Sequence, residues 1–552
     1  MSQHDPHYPV TTFDDFRAFV RGIGELYGER TACVWYDADG APRAYSYNEI
    51  RGDAEALGAA LSDMGLAGKH VAILGENSHE WLTALFAVTS TGGVAVPIDA
   101  DQPDDVLWRM IERADAEAAV FSPSFCELFG KKAAEGRIAA ICMGESPCPK
   151  IHGFRALLER GRELIARGEE PKGAVPVGRD TLAMIVYTSG TTSVSKPVML
   201  SHYNLQFNAS KGSAMLYMGE TIYSSLPLNH TYGLTCGVIN QFSQGHTMYL
   251  NGDIRTMMRD LKLANPECAI VVPLIAEAML MRARAEMKRR GGESPECLKW
   301  LDALNARFPM EVIAGARRLT EELFGDRLIR MVCGGAHLSR EIVEQFAMLG
   351  IEVFQGYGIT ECSPLVSVNR NHANKLGTVG QLLPETEVKL VSKEIWVRGP
   401  SVGLGYYKAP ELTAEAFHDG WFKTGDIGQV DRGGFLSING RIKNLIVFKN
   451  GKKVAPEEIE ESVKDIPVIK EAMAYGAATG ASVDDVKLVL MVYPDPTITR
   501  GMGNFEILRL IQAEIDRVNK NLPPYKQIQT IRLRDTEFEK TALRKIKRYV
   551  AV

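Results

Sequence analysis

No C-x-x-C pair, no H-E-x-x-H, no G-x-S-x-G elbow and no G-x-G-x-x-G fingerprint occurs in this 552-residue chain. Those absences exclude a thiol redox motif, a zincin protease, an α/β-hydrolase and a Rossmann dinucleotide site. The nine cysteines are scattered and odd in number, which argues for reduced thiols in a cytoplasmic compartment rather than a disulfide or zinc framework. Charge of one sign is also missing: 63 basic residues face 68 acidic ones, a net −5, so no nucleic-acid partner is expected. There is no long repeat and no low-complexity segment. Met1–Pro9 is polar, without the apolar centre of a secretory leader. The longest apolar passage, Trp81–Ile98, is broken by Thr83, Thr89, Ser90, Thr91, Gly92 and Gly93. It reads as a core helix running into a strand, which leaves membrane contact at most peripheral.

What is present is an ordinary globular composition, 45% hydrophobic and 24% charged. The length exceeds what one core supports, so two or more domains are expected. Short apolar runs (Val71–Gly75, Val94–Pro97, Ala118–Phe121, Ile138–Cys142, Leu182–Val186, Ala269–Pro273, Leu328–Cys333, Glu352–Gln355) alternate with amphipathic stretches such as Glu80–Ser90. That alternation predicts an α/β fold with largely parallel sheets, whose ligands sit beyond the carboxyl ends of the strands. Near residue 380 the texture changes to half-exposed alternation, in Val388–Val391 and Glu394–Val397. The residues after Gly440 read as a small α+β unit, with helices over Pro456–Lys464 and Phe505–Lys520 and a strand over Lys487–Tyr493.

Four stretches carry chemistry. Tyr187–Lys196 follows the Leu182–Val186 strand; six of its ten residues are Ser or Thr, with Gly190 to bend and Lys196 to meet an anion. It suits a polyphosphate, though such stretches also form plain turns. A Walker A loop is excluded, because Ser195 and Pro197 stand where its second Gly and its hydroxyl belong. Gly356-Tyr357-Gly358-Ile359-Thr360-Glu361 combines close backbone approach, a ring that can stack on a purine and a carboxylate that can hold Mg²⁺; a glycine-flanked turn with a buried Tyr is the alternative. Gly420–Asp426 offers an Asp that can accept two ribose hydroxyls, or else an Asx turn. The basic run Lys540–Arg548 is either a solvated terminal element or a source of a reacting cation.

Together these stretches resemble the acyl-adenylating enzymes, the family of acyl-CoA synthetases, peptide-synthetase adenylation domains and luciferases. Tyr187–Lys196 is similar to its YTSGTTGxPKG loop, with Ser193, Ser195 and Pro197 in place of Gly, Pro and Gly. Gly356–Glu361 matches GYGxTE, and Gly420–Asp426 matches GWFxTGD. Asn439–Asn444 resembles GRxKD, with Asn444 for Asp, and Leu226–His230 resembles PLxH. Lys540–Lys545 resembles the family's PKTxxGK ending, with Glu539 for Pro and Arg544 for Gly. The motifs fall in family order from about Phe13 to Arg548, and Asn450–Glu460 and Val272–Glu277 are most similar to long-chain fatty acyl-CoA synthetases.

The resemblance implies a large N-terminal AMP-binding domain, 1–441, of parallel-rich sheets with a small β-barrel-like subdomain, and a mobile α+β lid, 442–552. It assigns the phosphates to Thr188, Ser189, Gly190, Thr191, Thr192 and Lys196, and the adenine to Gly335, Ala336, Gly356, Tyr357 and Gly358. Thr360 falls near the α-phosphate, Glu361 on Mg²⁺, Asp426 and Arg441 on the ribose, and His230 beside the acyl pocket. Lys443 falls at the hinge, Gly451 and the lysines around it where pantetheine would pass, and Lys545 on the reacting carboxylate, with Lys540 as the alternative. Arg548 or Lys547 could meet coenzyme A phosphates. The implied reaction activates a carboxylic acid, a medium- or long-chain fatty acid by the resemblance, with MgATP to an acyl-adenylate and pyrophosphate. Coenzyme A then displaces AMP. An enzyme loading a separate acyl carrier protein and a non-catalytic nucleotide-binding relative are the alternatives.

Overall fold

The structure is a computed structural model that describes residues 8–146, 148–168, 175–188, 195–291, 310–448, 452–464, 466–478, 486–541 and 546–548. The chain divides into two compact units. The first comprises 1–189, 195–387 and 397–422, and the second 190–194, 388–396 and 423–552.

Two large sheets organise the first unit. In one, Thr247–Leu250, Thr221–Ser224, Cys268–Val271, Arg330–Cys333 and Glu352–Gly358 run parallel side by side. The other has a parallel centre made of His70–Leu74, Val94–Pro97, Ala118–Phe121, Ala139–Cys142 and Leu182–Tyr187. It is extended on one side by Pro197–Ser201 and then by the two-residue strand Gly405–Tyr406, both antiparallel. Every predicted strand of this series is present, the boundaries shifting by a residue or two at most apart from Glu352–Gly358, which runs three residues further. The apolar runs are legible because strands of a parallel sheet are covered on both faces. Ala183, Met184, Ile185 and Val186 are all buried, and so are Ala118 through Phe121. Leu107, Ile111 and Phe129, from flanking helices, close over the second sheet.

One helix does more than cover a sheet. His202–Met215 starts with a capping box in which Ser201 and Asn204 satisfy each other's backbone N–H groups. Its polar residues Asn204, Gln206, Asn208 and Ser210 are buried. Asn208 donates to the carbonyls of Cys362 (3.1 Å) and Leu365 (2.8 Å) and accepts from the Leu365 N–H (3.1 Å). A polar helix face thus becomes the anchor of the turn that follows the Glu352–Gly358 strand.

Trp421–Val430, which enters the second unit at Lys423, and Leu436–Arg441 form an antiparallel pair. Ile469–Ala478, Val486–Pro494 and Thr530–Leu533 form a three-stranded sheet. The helices Pro456–Val463 and Asn504–Lys520 pack against this sheet through Ile459, Val463, Ile507, Ile511 and Ile515, onto Leu488, Leu490 and Val492. This is the α+β unit expected from the pattern. Among the described residues no helix is long and apolar enough to cross a membrane.

Candidate active site

The Ser/Thr-rich loop leaves the carboxyl end of Leu182–Tyr187, and its neck is closed by its own residues. The Thr188 N–H donates to the Lys196 carbonyl at 3.0 Å, and the Lys196 N–H returns to Thr188 Oγ1 at 3.2 Å. The Ser195 hydroxyl donates to the Thr188 carbonyl, and Arg113 donates to the Ser195 carbonyl at 3.2 Å. The serine that departs from the family pattern is therefore a donor in the neck, a bond that proline cannot make. Ser189, Gly190, Thr191, Thr192 and Ser193 lie outside the described residues.

Lys196, half-buried, reaches the ring of Tyr406, its ammonium 4.7 Å from the centroid and 3.5 Å from the hydroxyl. That hydroxyl donates to Glu361 Oε1 at 2.7 Å, with Tyr406 and Glu361 both buried. Burial and the Glu361 carboxylate push the Tyr406 phenol well above its ordinary range, so it stays a donor. The structure thus joins two motif residues, Lys196 and Glu361, through a tyrosine that motif reading passed over. The one sequence cue was an aromatic after Gly403-Leu404-Gly405.

Gly356-Tyr357-Gly358 is the end of a strand rather than the turn offered as its alternative, and it pairs with Leu365–Val368. Tyr357 is buried and Thr360 opens a short helical turn over Thr360–Cys362. Gly358 has a steric reason: a Cβ there would sit 2.7 Å from the Pro364 carbonyl oxygen. Gly335 and Ala336 follow the neighbouring parallel strand Arg330–Cys333, at the same carboxyl edge. His230 is held locally, its Nδ1 accepting the Tyr232 N–H at 3.2 Å. Tyr232–Ile239 then forms a π-helical run, a geometry that often marks functional sites.

In the second unit Asp426 sits within the strand Trp421–Val430, not on a turn, directly across the ladder from Arg441. The Arg441 Nε donates to Asp426 Oδ1 at 2.7 Å; the Asp426 side chain is 4% exposed and that of Arg441 40%. The Thr424 hydroxyl, itself bound to the Ile395 carbonyl, accepts the Asp426 N–H at 3.0 Å. Lys443 is exposed on the short turn Ile442–Asn444. Asn444 donates to Glu457 at 2.7 Å, a bond that the family's Asp could not make. Arg548 is committed to Glu460 (2.6 Å) and the Ala474 carbonyl, and Lys540 to Glu471 and Glu537. Neither cation stands ready for a ligand in this arrangement. Lys545, Lys449 and Gly451 lie outside the described residues.

Among the described residues no group of three or more His, Cys, Asp or Glu is placed to hold a metal ion. A single buried carboxylate such as Glu361, oriented by the Tyr406 hydroxyl, nonetheless fits Mg²⁺, which keeps several waters and takes one or two carboxylates plus substrate phosphates.

Residues 23–407 match the AMP-binding enzyme family, and residues 443–552 match the AMP-binding enzyme C-terminal domain. A long-chain-fatty-acid–CoA ligase of Mycobacterium bovis is 30% identical over 478 residues, spanning 81% of this chain and 76% of the relative. A chloroplastic long-chain-fatty-acid–[acyl-carrier-protein] ligase of Arabidopsis thaliana is 27% identical over 548 residues, spanning 83% and 74%. The crystal structure of the anthranilate CoA ligase AuaEII with anthranoyl-AMP superposes with a TM-score of 0.77 at 18% identity, covering 99% of this chain and 97% of that one. With a family match over most of its length, and with the Tyr187–Lys196, Leu226–His230 and Gly356–Glu361 motifs at the carboxyl ends of parallel strands in the first unit, this chain belongs to the AMP-binding enzyme family.

Proposed function

We propose that the protein is an AMP-forming acid–thiol ligase that activates a medium- or long-chain fatty acid. The acid carboxylate attacks the α-phosphate of ATP, releasing pyrophosphate and leaving an acyl-adenylate; the thiol of coenzyme A then displaces AMP. The observation that carries the reading is the cluster of Lys196, Tyr406 and Glu361. It holds a cation suited to polyphosphate and a buried carboxylate suited to Mg²⁺ on one hydroxyl. The fatty-acid preference draws support from the Mycobacterium ligase, and coenzyme A as acceptor draws support from the same relative. The Arabidopsis relative favours a second reading, in which a separate acyl carrier protein takes the acyl group.

In this scheme Lys196 and the Ser/Thr loop, Thr188 to Thr192, bind the β- and γ-phosphates. Gly335, Ala336 and the Gly356–Gly358 strand end receive the adenine, Tyr357 against its face, and Thr360 donates to the α-phosphate. Glu361 holds Mg²⁺, which when bound neutralises phosphate charge. Asp426, oriented by Arg441, accepts the ribose hydroxyls. Lys545 supplies the cation that offsets charge developing between the acid and the α-phosphate, the kind of preorganised electrostatics that dominates such catalysis. Residues 1–441 act as the nucleotide-binding domain and 442–552 as the lid hinged at Lys443, with Gly451 along the pantetheine path and His230 beside the acyl chain. The protein works in the cytoplasm.

Acid-dependent exchange of pyrophosphate into ATP, without coenzyme A, over a panel of fatty, aryl and amino acids tests this. Exchange with fatty acids of eight or more carbons is expected. Exchange confined to aryl or amino acids would refute the substrate class, and none with any acid would refute adenylation. Supplying coenzyme A or an acyl carrier protein as acceptor then separates the two readings.

A further inference from the structure

The residues assigned to phosphate and metal come from segments far apart in the chain, and one side chain touches both. Tyr406 belongs to the two-residue strand Gly405–Tyr406, paired with Pro197–Ser201 immediately after Lys196. Its backbone is fixed on several sides. Its N–H donates to Thr413 Oγ1 at 2.9 Å, the Leu404 N–H donates to the Met199 carbonyl at 2.9 Å, and the Gly403 N–H donates to the Glu361 carbonyl at 2.8 Å. Phe417 packs edge-on against the ring at 5.8 Å. Gly405 permits this fit, since its φ is +121° and a Cβ would lie 2.6 Å from Thr413 Cγ2. The ring is therefore held in place by its own segment before any ligand arrives.

Its two polar contacts differ in kind. To Glu361 the phenol offers its one proton, a short bond at 2.7 Å that sets the orientation of the carboxylate. To Lys196 it offers an aromatic face and an oxygen lone pair, contacts that leave the ammonium free to swing toward phosphate. Building on the adenylation reading above, we propose that Tyr406 is a positioning residue that orients Glu361 for Mg²⁺ and, separately, parks Lys196 beside the phosphate site. It acts through those residues and need touch no substrate itself.

The two contacts can be separated by substitution. Tyr406→Phe removes the bond to Glu361, and with it the long 3.5 Å contact of the hydroxyl with Lys196, but keeps the ring under the ammonium; Tyr406→Leu removes the ring as well. ATP binding measured calorimetrically, in EDTA and across a Mg²⁺ titration, reads the effects without turnover. Tyr406→Phe is expected to bind ATP in EDTA as the wild type does but to need roughly 10- to 150-fold more Mg²⁺ for the same gain in affinity, the scale of one hydrogen bond to a charged group. Tyr406→Leu is expected to lose affinity in EDTA as well. In a Glu361→Gln background, Tyr406→Phe should add no further Mg²⁺ requirement. Unchanged Mg²⁺ dependence in Tyr406→Phe, or equal loss with and without Mg²⁺ at an unchanged melting temperature, would overturn the proposal. If the variants behave as expected yet the wild type exchanges no pyrophosphate with any acid, the positioning role stands and the adenylation reading falls.

Discussion

Asp426→Asn isolates the ribose assignment. Asn has nearly the same volume and keeps one carbonyl oxygen for Arg441, so the substitution removes charge and little else. The structural penalty is small. Asp426 is buried, but Arg441 is 40% exposed and can turn its guanidinium to water; the loss lies between that of a surface pair and that of a buried one, on the order of 1–2 kcal/mol. The ligand penalty is larger, because a carboxylate holding both ribose hydroxyls makes hydrogen bonds of the charged class. Each is worth about 1.5–3 kcal/mol, so losing the equivalent of one raises the KM for ATP roughly 10- to 150-fold. The assay is pyrophosphate exchange with ATP and with 2′-deoxy-ATP. Wild type should favour ATP by a factor in that range, and Asp426→Asn should bring the preference close to unity while its melting temperature moves by only a few degrees. If the variant keeps the wild-type preference between the two nucleotides, Asp426 does not hold the ribose and the reasoning fails.

Other outcomes follow from the same geometry. Lys545→Ala should lose most acyl-adenylate formation yet still make thioester from supplied acyl-adenylate; equal loss of both half-reactions, or of neither, counts against Lys545 as the reacting cation. Glu361→Ala should depress use of ATP most at low Mg²⁺, and wild-type kinetics across a Mg²⁺ titration would show that another carboxylate binds the metal. His202 should make stability fall with acid. It is fully buried, its Nδ1 accepts the Phe16 N–H at 3.2 Å, and burial pushes its pKa from 6.5 down to about 4. The unfolded chain then binds more protons between those values, so this contribution is complete above about pH 6.5 and declines as pH falls toward 4, by about 2 kcal/mol at pH 5. Melting temperatures at pH 7 and pH 5 should differ less in His202→Gln than in wild type; an unchanged difference would assign the acid sensitivity elsewhere.

The strands and the family motifs were legible because their signals are local. Leu182–Val186 announces a doubly covered strand in five residues, and Gly356–Glu361 completes its motif in six. Tyr406 was not legible, since it lies 210 positions from Lys196 and 45 from Glu361, and no spacing rule connects them. Asn208 was hidden for the opposite reason. With Asn204 one turn earlier it makes a polar stripe that reads as a solvent face, whereas the fold buries it against the Cys362–Leu365 turn. Asp426 reads as a turn residue because Gly425 precedes it. The ladder that makes it a strand residue runs to Arg441, whose pairing depends on the sheet and not on the neighbouring sequence.

The strand Gly405–Tyr406 has a bearing on how the enzyme would wear out. A strand of two residues has no stability of its own and can peel from Pro197–Ser201 with few bonds broken, well before the parallel centre of the sheet gives way. Peeling would take Tyr406 off Lys196 and Glu361 and would also bare the Pro197–Ser201 edge, a surface on which strands of other chains can pair. Gentle heating therefore leads first to a folded but idle molecule, and that molecule is also the one most exposed to aggregation.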